Sequence, residues 1–133
     1  MRTSFQSHEG VRICHLDFTH ITTEAIALSA VAEAKTAIAA EPPRSVYTIT
    51  DVTGSRAARA IRGALHDLTE HNKPYVLFGA VVGATPLQTI VLRGIIQLTG
   101  RHLVTAETIK EAIEAVKKEA KSSTSRAGAR LDS

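Results

Sequence analysis

Ser45-Val-Tyr-Thr-Ile-Thr-Asp-Val-Thr-Gly-Ser55, followed at once by the helical pattern of Arg56 to Glu70, decides the fold. The apolar, β-branched run Val46 to Thr50 reads as a strand. The polar Asp-Val-Thr-Gly-Ser turn closes it where a helical periodicity begins. In an open α/β sheet, ligands and partners are met at the carboxyl ends of the strands, where helix N-termini offer free N–H groups and partial positive charge. Asp51, Thr53, Gly54 and Ser55 therefore belong at that edge, with the Thr53 hydroxyl directed outward.

Working back from this stretch, residues 3 to 8 and 11 to 18 read as two strands around the tight turn Glu9-Gly10. Cys14, Leu16 and Phe18 share one face of the second strand and Val11 and Ile13 the other, so both of its faces are covered. Thr22 or Thr23 caps a helix from Glu24 to about Ala40, which Pro42-Pro43 ends. Helix two directs Ala57, Ile61, Ala64, Leu65 and Leu68 inward and Arg56, Arg59, Arg62 and His66 outward. Working forward, Tyr75 to Val82 is an unbroken apolar strand suited to burial on both sides. Thr85 before Pro86 is a helix start, and Leu87, Ile90, Val91, Ile95 and Leu98 form the apolar face of helix three. Gly100 stops that helix, and a short last strand lies near His102 to Val104. Thr105 caps helix four, whose Ile109, Ala112, Ile113 and Val116 face inward. Gly63 and Gly94, inside helices two and three, are expected at close packing contacts. The pattern is α/β: a mostly parallel five-stranded sheet with an N-terminal β-hairpin and four helices.

The 133 residues suit one domain, here residues 1 to 119, with a disordered polar tail from 120 to 133. Of the net charge of +3, that tail carries +2, because Lys121, Arg126 and Arg130 stand against Asp132, so the body is almost neutral. With 4% aromatic residues and no Trp, neither phosphate neutralisation nor base stacking is provided for, and nucleic acid is not an expected partner. Cys14 is the single cysteine and sits in an apolar strand pattern, which fits a core residue in a reducing compartment. No signal-peptide pattern and no apolar run of about 18 residues are present, so a cytoplasmic protein without membrane association is expected.

Arg12-Ile-Cys-His-Leu-Asp-Phe18, Thr50-Asp-Val-Thr-Gly-Ser55, Asn72-Lys-Pro-Tyr-Val76, Ala80-Val-Val-Gly83 and the last amphipathic helix together resemble the STAS domain family, the SpoIIAA-like fold of anti-sigma-factor antagonists. The resemblance runs from about His8 to Lys117 and points to small stand-alone bacterial members. It implies a non-enzymatic regulatory module that binds a protein, such as an anti-sigma-factor-like kinase, and is switched by phosphorylation. In those antagonists an Asp-Ser-Ser-Gly turn carries the phosphoacceptor. Here Thr53 falls on the acceptor, Asp51 on the preceding acid, and Val52 replaces the first serine. Asp17, His20, Asp51, Thr53, Gly54, Ser55, Arg56, Arg59, Gly83 and Thr85 make up the expected binding surface.

Other chemistries find less support. Asp17 and Asp51 end strands on one edge, but two carboxylates are too few for a divalent-cation site. The histidines show no metal-ligand spacing beyond His15 and His20. Gly79 to Gly83 lacks the Lys-Ser/Thr ending of a phosphate loop. No metal or cofactor is expected. The alternative is a small-molecule or lipid-binding domain resembling CRAL-TRIO carriers, for which the chain is short. Arg56, Arg59 and Arg62 form either a solvated face or a docking face for an acidic partner or a second copy of the chain.

Overall fold

The computed structural model describes residues 2–56, 59–99 and 102–132. Its elements run β1 (Thr3–His8), β2 (Val11–Asp17), α1 (Glu24–Ala39), β3 (Val46–Asp51), α2 (Arg59–Asn72), β4 (Val76–Val82), α3 (Pro86–Thr99), β5 (Leu103–Ala106) and α4 (Ile109–Asp132). The strands lie in sequence order in one sheet. β1 and β2 form an antiparallel hairpin, and every later pairing is parallel.

Alternation sorts each strand between two cores. Cys14, Leu16 and Phe18 of β2 and its following turn meet Val31, Ala34 and Ile38 of α1 and Ile61, Ala64 and Leu68 of α2. On the opposite face Ile13, Ile49, Ala80 and Val82 are roofed by Ala112 and Val116 of α4. β4 gives Val81 to the first core and Ala80 and Val82 to the second, which explains its continuous apolar run. Each fully buried Ile, Leu or Phe contributes about 1.5–3 kcal/mol of transfer free energy, so these two layers dominate the favourable side of folding.

Local signals set the helix ends. Thr23 caps α1, its hydroxyl accepting from the Ile26 N–H at 3.3 Å. At α3 a reciprocal capping box forms: the Thr85 hydroxyl accepts from the Gln88 N–H, and the Gln88 side chain accepts from the Thr85 N–H. Helix α4 is capped by Thr108, whose hydroxyl accepts from the Glu111 N–H at 3.1 Å. Thr105, the expected cap, instead belongs to β5, because pairing with β4 continues as far as Val82 and Ala106.

Further differences from the sequence reading have local causes. Arg56 is not helical, since Gly54 and Ser55 are held in a cross-linked loop described below, and α2 is described over Arg59–Asn72. Leu87 and Ile90 of α3 are 61% and 63% exposed, so these two members of the expected inward stripe face solvent. Leu92 packs against the first core instead, while the side chains of Val91, Ile95 and Leu98 lie outside the described residues. Helix α4 runs to Asp132, through the stretch expected as a disordered tail. Ala120, Lys121, Arg126, Ala127, Ala129, Arg130 and Leu131 in that stretch are strong helix formers.

Neither Gly63 nor Gly94 sits at a close packing contact: a Cβ at either would meet nothing within 4 Å. Both carry the entropic cost of glycine in a helix without a steric reason. Gly63→Ala should therefore raise the unfolding free energy by about 1 kcal/mol in urea titration. A loss of stability would show that the position is crowded.

Candidate functional site

β2 and β3 end side by side, with Asp17 and Asp51 as register partners. Each is followed by the same turn. Asp17 Oδ1 accepts from the Thr19 N–H at 3.1 Å and the Thr19 hydroxyl at 2.6 Å. Asp51 Oδ1 accepts from the Thr53 N–H at 3.0 Å and the Thr53 hydroxyl at 2.6 Å. The turns are stitched together by the Phe18 N–H on the Asp51 carbonyl and the His20 N–H on the Thr53 carbonyl, both at 2.9 Å. The residue between each acid and threonine is an anchor: Phe18 and Val52 are buried. Val52 thus stands in the place of the first serine of the antagonist motif as a core side chain, while Thr53 is exposed.

Ser55 fastens this edge. Its half-buried hydroxyl donates to the Phe18 carbonyl and accepts from the Ile21 N–H, and its carbonyl accepts from the Gln88 amide at 2.7 Å. The Arg56 N–H bonds the Ile21 carbonyl at 2.9 Å. Ser55 therefore joins loops rather than capping α2, and Thr53 is separated from the first turn of that helix by the loop. Gly54 adopts φ +74°, and the His20 ring lies where its Cβ would be. The Thr53 side chain packs in the same way on Gly83, at φ +79°.

Of the expected surface, Asp17, His20, Asp51, Thr53, Gly54, Ser55 and Gly83 come together here. Thr85 joins through Gln88, which bonds both Thr85 and Ser55. Arg56 and Arg59 are exposed beyond the loop. Thr19, Gln88 and Arg2, whose guanidinium donates to the Asp17 and Thr19 carbonyls, were not anticipated. The repeated Asp-x-Thr at two strand ends was the available signal for Thr19.

The electrostatics follow from these contacts. The Thr19 hydroxyl, and then its N–H, hold the Asp17 carboxyl below its usual range. Burial pushes the Cys14 thiol up to about 12, leaving it protonated and inert. His15 pairs with His8, Nε2 to Nε2 at 3.1 Å, and burial ahead of this neighbour lowers its pKa. Among the described residues no group of three or more metal-ligating side chains occurs.

Beside this edge a cavity of about 100 Å³ lies between the sheet and helices α2 and α3. Its floor includes Leu16, Thr48 and Val81, its roof Leu65, Leu68 and Leu92, and Arg56 and Arg62 also line it. Arg62, expected on the solvated face of α2, is exposed yet forms part of this lining.

No family model and no curated protein matches the sequence. The structure is similar to the crystal structure of an uncharacterized protein of the DUF3478 family from Shewanella loihica PV-4, described as having a SpoIIAA-like fold. The TM-score is 0.67 at 13% identity, covering 86% of this chain and 91% of that one. The fold is SpoIIAA-like. Within this SpoIIAA-like frame the five-stranded sheet, its leading hairpin and the four helices stand as the sequence reading expects. Among the described residues no helix is long and apolar enough to cross a membrane.

Gly54→Ala should destabilise the protein by about 1–2 kcal/mol through its left-handed backbone alone, with an added cost from the His20 ring. In a His20→Ala background the added cost should vanish while the backbone cost remains. Equal losses in both backgrounds, measured by urea unfolding, would contradict the packing of His20 on Gly54.

Proposed function

We propose that this protein is a non-enzymatic, cytoplasmic regulatory module that docks a partner protein on the carboxyl edge of its sheet and is released by phosphorylation of Thr53. The observation that carries the reading is the exposed Thr53 hydroxyl, presented at the strand end by Asp51 on one side and left-handed Gly54 on the other. Its position matches the acceptor of the antagonist turn. A kinase partner of the anti-sigma-factor type fits it.

Electrostatics supplies the switch. The Thr53 hydroxyl donates to a carboxylate, and a phosphoryl group there would replace the donated proton by close to two negative charges. Asp51 would then face an anion at hydrogen-bond range, with Asp17 on the neighbouring strand. A turn that is closed when neutral would be pushed open, and an acidic partner repelled. Arg59, exposed at the start of α2, supplies the cationic contact of the docking surface. A lipid-carrier role finds little room, because pockets for larger ligands run to roughly 300–1,000 Å³, well above the cavity of about 100 Å³.

The immobilised protein, exposed to extract of its own cells, should retain a partner that Thr53→Glu and Arg59→Glu both lose. Intact mass after incubation with extract and ATP should show a phosphate on the unaltered chain and none on Thr53→Ala. Retention unchanged by both charge variants, or equal phosphate on Thr53→Ala, would overturn the proposal.

A further inference from the structure

The cavity under α2 and α3 has a chemistry of its own. Its floor is low because the facing strands place short side chains at their centre, Thr48 and Thr50 on β3 and Gly79 on β4. A Cβ at Gly79 would run into the Thr48 hydroxyl and Leu103, both of which line the cavity. Helix α2 packs on α1 through buried Ile61, Ala64 and Leu68, while α3 sends Leu92 toward the same core. The space between the two helices is left unfilled.

Two features show what would fill it. Thr48 is 4% exposed and lines the cavity, which sets its hydroxyl at the cavity floor. A hydroxyl at a cavity floor offers a hydrogen-bond donor that an oxygen-bearing occupant can engage. The second feature is the arginine pair. Arg56 and Arg62 line the cavity with exposed side chains, and neither has an ion-pair partner among the described residues. Between them and Thr48 the lining is mainly leucine and valine, with Thr50, Ser55, Thr69, Asn72 and Gln88 among them.

We propose that the cavity binds a short-chain oxo- or hydroxy-carboxylate, its carboxylate on Arg56 and Arg62, its chain against Leu65, Leu68 and Leu92, and its chain oxygen on the Thr48 hydroxyl. Size sets the limit. An apolar cavity of about 150 Å³ accepts benzene, so the volume of about 100 Å³ holds about four chain carbons. Nucleotides and lipids are too large, and cations are turned away by the arginines. This site adjoins the Thr53 docking surface and shares Ser55 and Arg56 with it, but neither Thr53 nor Arg59 lines it.

Methyl NMR titration of the whole protein with 4-oxopentanoate, pentanoate and pentylamine tests the proposal. Saturable shifts at Leu65 and Leu92 are expected with both carboxylates and not with the amine, with 4-oxopentanoate tighter by about tenfold, the scale of one added hydrogen bond. Thr48→Val, which keeps the shape, should abolish the preference for the oxo acid while leaving pentanoate unchanged. Arg62→Gln, an exposed substitution, should weaken both carboxylates about tenfold. Absence of saturable shifts with both carboxylates, equal binding of the amine, or an oxo preference that survives Thr48→Val would each overturn it. Variants at Thr53 and Arg59 should leave these titrations unaltered, so failure here and failure of docking are separately visible.

Discussion

The working edge of this molecule depends on one side chain, Ser55. Its hydroxyl closes on the Phe18 carbonyl and the Ile21 amide, and its own carbonyl holds Gln88 at the start of α3. A single residue thus ties the loops that follow β2, β3 and β4. Without such a tie, polar loops at a sheet edge have little apolar burial to order them, and the conformational entropy of several residues would keep the turns mobile. Thr53 itself is directed by its own turn: it bonds Asp51 while Val52 is drawn inward, and it is left facing water two residues before this tie.

The two layers of helices are unequal, and the inequality creates the chemistry beside that edge. Consecutive parallel strands connected through α1, α2 and α3 put those helices on one face, leaving α4 alone to cover the other. Three helices over a narrow sheet do not fill it evenly. α1 and α2 share a dense core. α3 shows Leu87 and Ile90 to solvent and leaves the space over Thr48 and Gly79 open. The same threonine-rich strand that leads into the switch candidate at its end supplies the Thr48 hydroxyl to the cavity floor at its middle.

The fold was legible because it rests on periodicity. The two-sided burial of β4, the hairpin at Glu9-Gly10 and the Thr85-Pro86 start all follow from local residue chemistry and recur in the structure. The site was partly legible. Asp51, Thr53 and Gly54 stand where the strand-end turn puts them, because an Asp-x-Thr-Gly turn is made by contacts within four residues. The fastening role of Ser55 was not legible, because its partners, Phe18 and Ile21, are more than thirty positions away in sequence. Leu87 and Ile90 of α3 were misread as inward for a related reason. Hydrophobic spacing tells which residues share a face, but the distance of a helix from its sheet is set by the sizes of side chains on other elements. Gly63 and Gly94 show the same limit, since a helical glycine is noted from sequence while the space around it is not.

Amide hydrogen exchange on Ser55→Ala measures the role of this residue most directly. The amides of Ile21 and Arg56 should lose most of their protection while Ile49, in the middle of β3, keeps its own. If Ile21 remains as protected as in the unaltered protein, the Ser55 hydroxyl does not hold the edge together.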